Sequence, residues 1–521
     1  MRNFVLLHAS LFIITALFSA APWPYLLLTA AQLVYIPILL KLVCKEQDWF
    51  WKAYSYFAIP AYAAVMIEQI ASTGWEWLLA AIYLLFTVFV AVYGMFRFLH
   101  RGFTNSEEFS IDMGLIYLAM GGGWYFAYIA GIDLGFSPLL SWLTAIHFHY
   151  SAFVLPIFIG FIGRIHTSRL YRSAVVMLLA APMVVAVGIT FSRWIEFVSV
   201  LLYFYGLGVI IWIAWRLSFL QPLQKWLMRI SFTALAVTIS FSMLYVLSNG
   251  FGLFSVTIDF MLRFHGVLNC IVFACVGLAG WMLAVPASRF QPPNFPISSI
   301  HGRQTADKIG ETGKIRGLSD NLRAYGLTPS ARIIDFYENT VDYRLKARVN
   351  WHTWFKPFAF LYSFVSKRTQ QINLPFHNEE VEMTGSIFKI HEGLDGRENV
   401  RAWERKVGEE TIFTALYSQH TTNEKLYMNI ALPLPLTTMT GVLELRAAGE
   451  NLQLTSKRTT LDSDAGVYLS VGRSGLFKLP IAEDFLITDE GTGYLLAKHT
   501  MWICSLPFLT IDYTIDQYED H

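Results

Sequence analysis

Two apolar segments hold most of the side chains that could do chemistry within a hydrophobic setting. LLSWLTAIHFHYSAFVLPIFIG carries His147 and His149, and TIDFMLRFHGVLNCIVFACVGLAGWML carries His265 and Asn269. Imidazole titrates near neutral pH and can bind a metal or relay a proton, so its place in an apolar run calls for a reason. On a helix, at about 100° per residue, His147 and His149 point to roughly opposite sides. His147 shares its face with Thr144, Tyr150 and Ser151, whereas His149 lies among Ala145, Ile146, Ala152, Phe153 and Pro156. His265 and Asn269, four residues apart, form one polar stripe beside Gly266.

One expectation joins His147, Tyr150, Thr144 and Ser151 to His265 and Asn269 as walls of a polar cavity in the bilayer. The competing expectation is a set of interhelical hydrogen bonds that only fixes packing. A metal or haem site on His147, His149 and His265 is a third reading, weakened because the HFH pair diverges around the helix. Arg263 lies four residues after Asp259, which suits a local salt bridge, against a ligand-facing Arg263. Gly121, Gly122 and Gly123 stand in mid-helix, where they either unwind the backbone to expose carbonyls or let a neighbouring helix approach closely.

The elements that must position these residues are membrane spans. The chain is 55% hydrophobic and 15% charged over 521 residues, and a soluble domain carries about 25% charge. A hydrocarbon core needs roughly 20 apolar residues in helix. Such windows recur at 4–20, 24–43, 53–71, 77–97, 110–130, 137–163, 173–192, 194–215, 228–249 and 258–285. The first also fits a signal peptide, with Arg2 ahead of an apolar run and Ser19, Ala20 and Ala21 after it. Lys41, Lys45, Lys52, Arg97, Arg101, Arg164, Arg169, Arg172, Arg216, Lys225 and Arg229 fall in alternate loops. Those loops are predicted to be cytoplasmic, which puts both termini inside. Tryptophans near the span ends, Trp49, Trp75, Trp142 and Trp226 among them, suit the headgroup layer.

The charged residues gather after Trp281, beyond a Pro- and Ser-rich stretch, PASRFQPPNFPISS. The expected organisation is a membrane region over 1–290, a linker over 291–325 and a cytoplasmic α+β domain over 326–521. Thr328, Pro329 and Ser330 signal a helix start before ARIIDFYEN. WHTWFKPFAFLYSFVSKR reads as an interfacial helix or a buried one. From Glu380 onward, short alternating runs from EMTGSIFKI to FLTIDYTI predict an antiparallel sheet or barrel, a shape that often encloses a small apolar ligand.

A net charge of +1 supplies no field for nucleic acid. Cys44, Cys270, Cys275 and Cys504 are too scattered for a disulfide framework or a zinc ribbon. The sequence carries no GxSxG, GxxxxGK[ST], HExxH or paired CxxC. His391, Glu392 and Asp395 cluster near a turn and read as solvated polarity.

HFHYSAF, FHGVLN, DFYENTVDYRL, QINLP and FLTIDYTI together resemble the YndJ-like family of bacterial membrane proteins. Where that family's pattern is HGxxNAxGF, this chain has Cys270, Ile271, Val272 and Phe273 after Asn269. The resemblance implies a multi-pass protein of a bacterial plasma membrane and supplies no mechanism or cofactor. Three function classes follow: a transporter using a histidine-lined cavity, a membrane-anchored sensor or binding protein whose β-rich domain holds a small or lipid ligand, and a haem or metal enzyme. Lipid bilayer is the expected partner of all three.

Overall fold

The computed structural model describes the chain except residues 46, 104, 254, 303–310, 320–321, 323–326, 370, 377, 461, 472–474 and 519–521. Two compact units emerge, 1–98 with 104–289 and 99–103 with 290–521.

The first unit is helical among its described residues. Its helices are α1 (Arg2–Phe18), α2 (Tyr25–Val43), α3 (Trp49–Ile70), α4 (Glu76–Arg101), α5 (Ser106–Ile129), α6 (Pro138–Ile165), α7 (Arg169–Phe191), α8 (Arg193–Arg216), α9 (Pro222–Phe251) and α10 (Ile258–Leu283). Seven of them, α2, α4 and α6 to α10, are long and apolar enough to cross a membrane. The other three expected spans form helices that fall short of that standard. α1 has 17 residues, and α5 carries Glu107, Glu108 and Asp112 in its first turns. Burial orders the bundle: 83% of the α6 span and 78% of the α2 span are buried, against 33% for α7 and α9.

Prolines shape the inner helices. A proline lacks an N–H and its ring presses on the carbonyl four residues earlier. Pro37 stands two residues after a π-helical turn at Ala31–Tyr35, and Pro156 two residues after one at Tyr150–Val154. The wider turn absorbs the crowded carbonyl without breaking the helix. α10 has π-turns at Met261–Gly266 and Leu268–Cys275 with no proline. There other helices take the displaced carbonyls: Tyr35 Oη donates to Cys270 O at 2.7 Å and Ser231 Oγ to Phe273 O at 2.7 Å.

The second unit is an antiparallel barrel. Its strands are β1 (Glu311–Lys314), β2 (Tyr343–Trp351), β3 (Glu380–Ile390), β4 (Arg401–Val407), β5 (Glu410–Thr422), β6 (Lys425–Leu434), β7 (Thr437–Ala448), β8 (Asn451–Thr455), β9 (Gly466–Val471), β10 (Gly475–Lys478), β11 (Ile481–Asp489), β12 (Leu495–Ile503) and β13 (Leu506–Gln517). The order β2-β3-β4-β5-β6-β7-β8-β11-β12-β13 closes on itself because β13 pairs with β2 and β8 pairs with both β7 and β11. β7 divides its free edge, Thr437–Val442 on β9 and Glu444–Ala448 on β8. Closure leaves the ring no open strand edge. Alternate residues face inward, such as Leu345, Ala347 and Val349 of β2 and Leu509, Ile511 and Tyr513 of β13.

Helix α11 (Ala331–Glu338) is capped by Ser330, whose Oγ accepts from Ile333 N at 3.3 Å, and adds Ile333, Phe336 and Tyr337 to the barrel core. Helix α12 (Lys356–Thr369) exposes Phe358, Phe360, Leu361, Phe364 and Val365, so it is not a buried core helix.

The expected linker is more structured than a tether. Asn294 N donates to Asp464 Oδ1 at 3.1 Å, Ser298 Oγ to Asp395 Oδ2 at 2.6 Å, and Gly302 N to Leu434 O at 2.9 Å. Within it β1 pairs with β3, while 303–310, 320–321 and 323–325 lie outside the described residues. Asp395 corrects an expectation. It is fully buried and pairs with Arg397, because the linker covers that face and excludes water, whereas His391 and Glu392 are exposed.

Candidate functional site

α6 and α10 bring His147 and His265 together, with ring centroids 6.3 Å apart and planes tilted by 30°. They do not bond to each other. His147 Nδ1 donates to Leu143 O at 2.7 Å on its own helix. His265 Nδ1 donates to Thr238 O of α9 at 3.0 Å, and its Nε2 accepts from Asn269 Nδ2 at 3.1 Å. Thr238 Oγ1 completes the circuit by donating to Asn269 Oδ1 at 3.1 Å. One neutral tautomer of His265 satisfies both of its bonds in this circuit.

The remaining intramembrane candidates separate. Thr144 Oγ1 donates to Leu140 O and Ser151 Oγ to His147 O, each at 2.8 Å, so both hydroxyls turn back onto α6. Tyr150 is buried away from the histidine pair, donating to Leu27 O at 2.7 Å with Cys270 Sγ 3.1 Å away. Arg263 pairs with Asp259 at 2.7 Å, both exposed. Gly121, Gly122 and Gly123 lie in the unbroken α5. A Cβ on Gly121 would come within 2.8 Å of His149 Nδ1, one on Gly122 within 2.1 Å of Thr87 Oγ1, and one on Gly123 would meet open space. Close helix approach therefore explains the first two.

His149 is fully buried, with Nε2 2.8 Å from Tyr83 Oη and Nδ1 donating to Ala145 O at 2.7 Å. Among the described residues no three His, Cys, Asp or Glu side chains gather as a metal-holding group, so His147, His149 and His265 form no such cluster.

Sequence reasoning missed a buried ion network. Arg97 of α4 lies 2.6 Å from Asp112 and 3.0 Å from Glu108 of α5, and Arg164 of α6 lies 2.7 Å from Glu108. Loop charge counting had placed both arginines in basic loops. The overlooked signal was the spacing of Glu108 and Asp112, one helical turn apart in an apolar segment.

The barrel interior holds a pocket that the sequence did not single out. A cavity of about 60 Å³ is lined by Leu345, Trp403, Arg405, Tyr417, Met428, Ile487 and Tyr513 among others. Arg405 points inward from β4, with 7% of its surface exposed. Its guanidinium is 4.1 Å from the ring centres of both Trp403 and Phe413, and one amino group donates to Tyr417 Oη at 3.0 Å. Glu404, the next acid along the strand, lies on the opposite face near Lys406. No carboxylate among the described residues pairs with Arg405, and its Nε has no hydrogen-bond partner. An uncompensated buried charge costs several kcal/mol, of which cation–π contacts return about 0.5–2 kcal/mol each. Burial pushes the Tyr417 and Tyr513 hydroxyls upward, and the nearby Arg405 charge opposes that rise. The cavity thus combines apolar walls, phenol hydroxyls and one guanidinium, a set suited to a small amphiphilic anion.

A model described as YndJ-like protein matches residues 26–273. Over 463 residues, covering 84% of this chain and 83% of the relative, the sequence is 38% identical to "Uncharacterized membrane protein YndJ" of Bacillus subtilis (strain 168). No solved structure matches.

Proposed function

This chain belongs to the YndJ-like family of membrane proteins, and from that premise we propose that it is a membrane-anchored binding protein whose barrel holds a small ligand. In this reading all ten helices cross a bacterial plasma membrane, and both termini and the barrel are cytoplasmic, as the alternating basic loops imply. The observation that carries the reading is the pocket lined by the barrel's inward-facing residues, about 60 Å³ beside a buried arginine. At roughly 10–15 Å³ per water, that space suits a ligand of a few heavy atoms better than a lipid chain.

The test is native mass spectrometry of the full-length protein in detergent. Wild type is expected to carry a small adduct, and Ala497→Leu, which fills the cavity from its wall, is expected to lose it. Wild type without an adduct, or an adduct kept by the filled variant, overturns the reading.

A second reading, transport past His147 and His265, is favoured by the 6.3 Å approach of the two rings. It requires pH-dependent solute flux in proteoliposomes that His147→Ala abolishes. Unchanged flux in that variant removes it.

A further inference from the structure

We propose that the barrel ligand is a short-chain monocarboxylate whose acid group pairs with Arg405. The inference rests on the binding reading above and names its ligand class. Three observations lead to it. First, Arg405 is buried, its Nε has no hydrogen-bond partner, and no carboxylate among the described residues forms an ion pair with it. A guanidinium presents a planar fork that matches a carboxylate with two parallel hydrogen bonds.

Second, the groups in contact with the guanidinium are a phenol and two rings, while the interior acid Glu483 lies 3.3 Å from His499 instead. Tyr417 Oη already accepts from it at 3.0 Å, leaving that phenol's own proton for an incoming oxygen. Trp403 and Phe413 hold the plane from their ring centres at 4.1 Å each, which fixes its orientation before a ligand arrives.

Third, apart from Arg405, Trp403 and the phenols of Tyr337, Tyr417 and Tyr513, the lining is hydrocarbon. Leu345, Met428, Leu454, Ile487, Ala497 and Ile515 surround the space. Such walls favour an alkyl tail of a few carbons. They disfavour inorganic phosphate, whose two charges and additional oxygens would need more donors than one guanidinium and its neighbouring phenols supply.

The experiment is equilibrium dialysis of the full-length protein in detergent with radiolabelled butyrate and, in parallel, butyramide. The two share a shape and differ in charge. Wild type is expected to bind butyrate saturably and butyramide at least tenfold more weakly. Arg405→Gln should weaken butyrate at least tenfold and leave butyramide unchanged, and Tyr417→Phe should weaken butyrate severalfold. Butyramide binding as tightly as butyrate overturns the anion assignment while the binding reading survives. Phosphate displacing butyrate at equal concentration overturns the carboxylate assignment. If neither probe binds and no adduct is present, both readings fall. The comparison of the two probes on wild type decides the matter even if Arg405→Gln does not fold.

Discussion

Arg97 and Asp112 face each other across α4 and α5 at 2.6 Å, both buried, with Glu108 bridging from Arg97 to Arg164 of α6. Three helices are joined through one carboxylate. Removing the bridging charge leaves two buried guanidinium groups short of a partner, so Glu108→Gln is expected to destabilise the helical unit by about 3–5 kcal/mol. Thermal unfolding in detergent measures this. Asp259→Asn, which breaks the exposed pair with Arg263, should leave the unfolding temperature unchanged.

The His265 circuit is expected to behave as packing. Asn269→Leu leaves His265 Nε2 without its partner and Thr238 Oγ1 with only Leu235 O of its own helix, and interhelical bonds of this kind average about 0.6 kcal/mol. A loss of about 1 kcal/mol is expected in the same unfolding assay. His147→Phe should cost less, because His147 Nδ1 bonds within its own helix.

Gly122 and Gly123 are adjacent and should respond oppositely. Gly122→Ala places a carbon 2.1 Å from Thr87 Oγ1 and is expected to cost about 1–3 kcal/mol by overpacking. Thr87→Ala, which removes the atom in the way, should restore most of the loss in the double variant. Gly123→Ala meets nothing and should be neutral or slightly stabilising. Equal effects at the two positions would contradict the close approach of α4 and α5.

Lys478 gives the barrel a pH dependence. Burial, then the Arg458 charge, pull its pKa down from 10.5 to about 7. Between those values the unfolded chain binds the proton that the folded one releases, so stability rises with pH from about 7 toward 10.5. Below about 7 both states are protonated and the penalty is constant. Lys478→Met should flatten the rise and stabilise the barrel most at and below about pH 7. Unfolding temperatures recorded from pH 6.5 to about 10 check this.

The helical series was legible because a bilayer imposes one length and one solvent on every span, so apolar windows alone locate the helices. That α6 meets α10 was also legible, from two histidines in otherwise apolar runs. What each histidine bonds was not, since it depends on Thr238 of a third helix. The barrel was half legible. β11 and β12 are the least legible strands between EMTGSIFKI and FLTIDYTI, because β11 carries Glu483 and Asp484 and β12 carries Lys498 and His499, which blurs the alternation. β2 was overlooked despite alternating Tyr343, Leu345, Ala347 and Val349. Cys504 sits in the tight turn between β12 and β13 with φ at 48°. Arg405 was invisible to pattern reading. An arginine between Glu404 and Lys406 looks like ordinary surface charge until closure turns that side of β4 inward.

The pairing of β2 with β13 fixes an order of events during synthesis. β2 spans Tyr343–Trp351 and its partner spans Leu506–Gln517, so every other strand emerges from the ribosome before the seam can form. Until then the nascent sheet presents a bare β2 edge, the kind of surface that recruits other chains. Barrel completion is therefore an event that follows translation of β13. A chain stopped before that strand is expected to enter the membrane normally and yet be handed to proteases, with its helices intact and its barrel never shut.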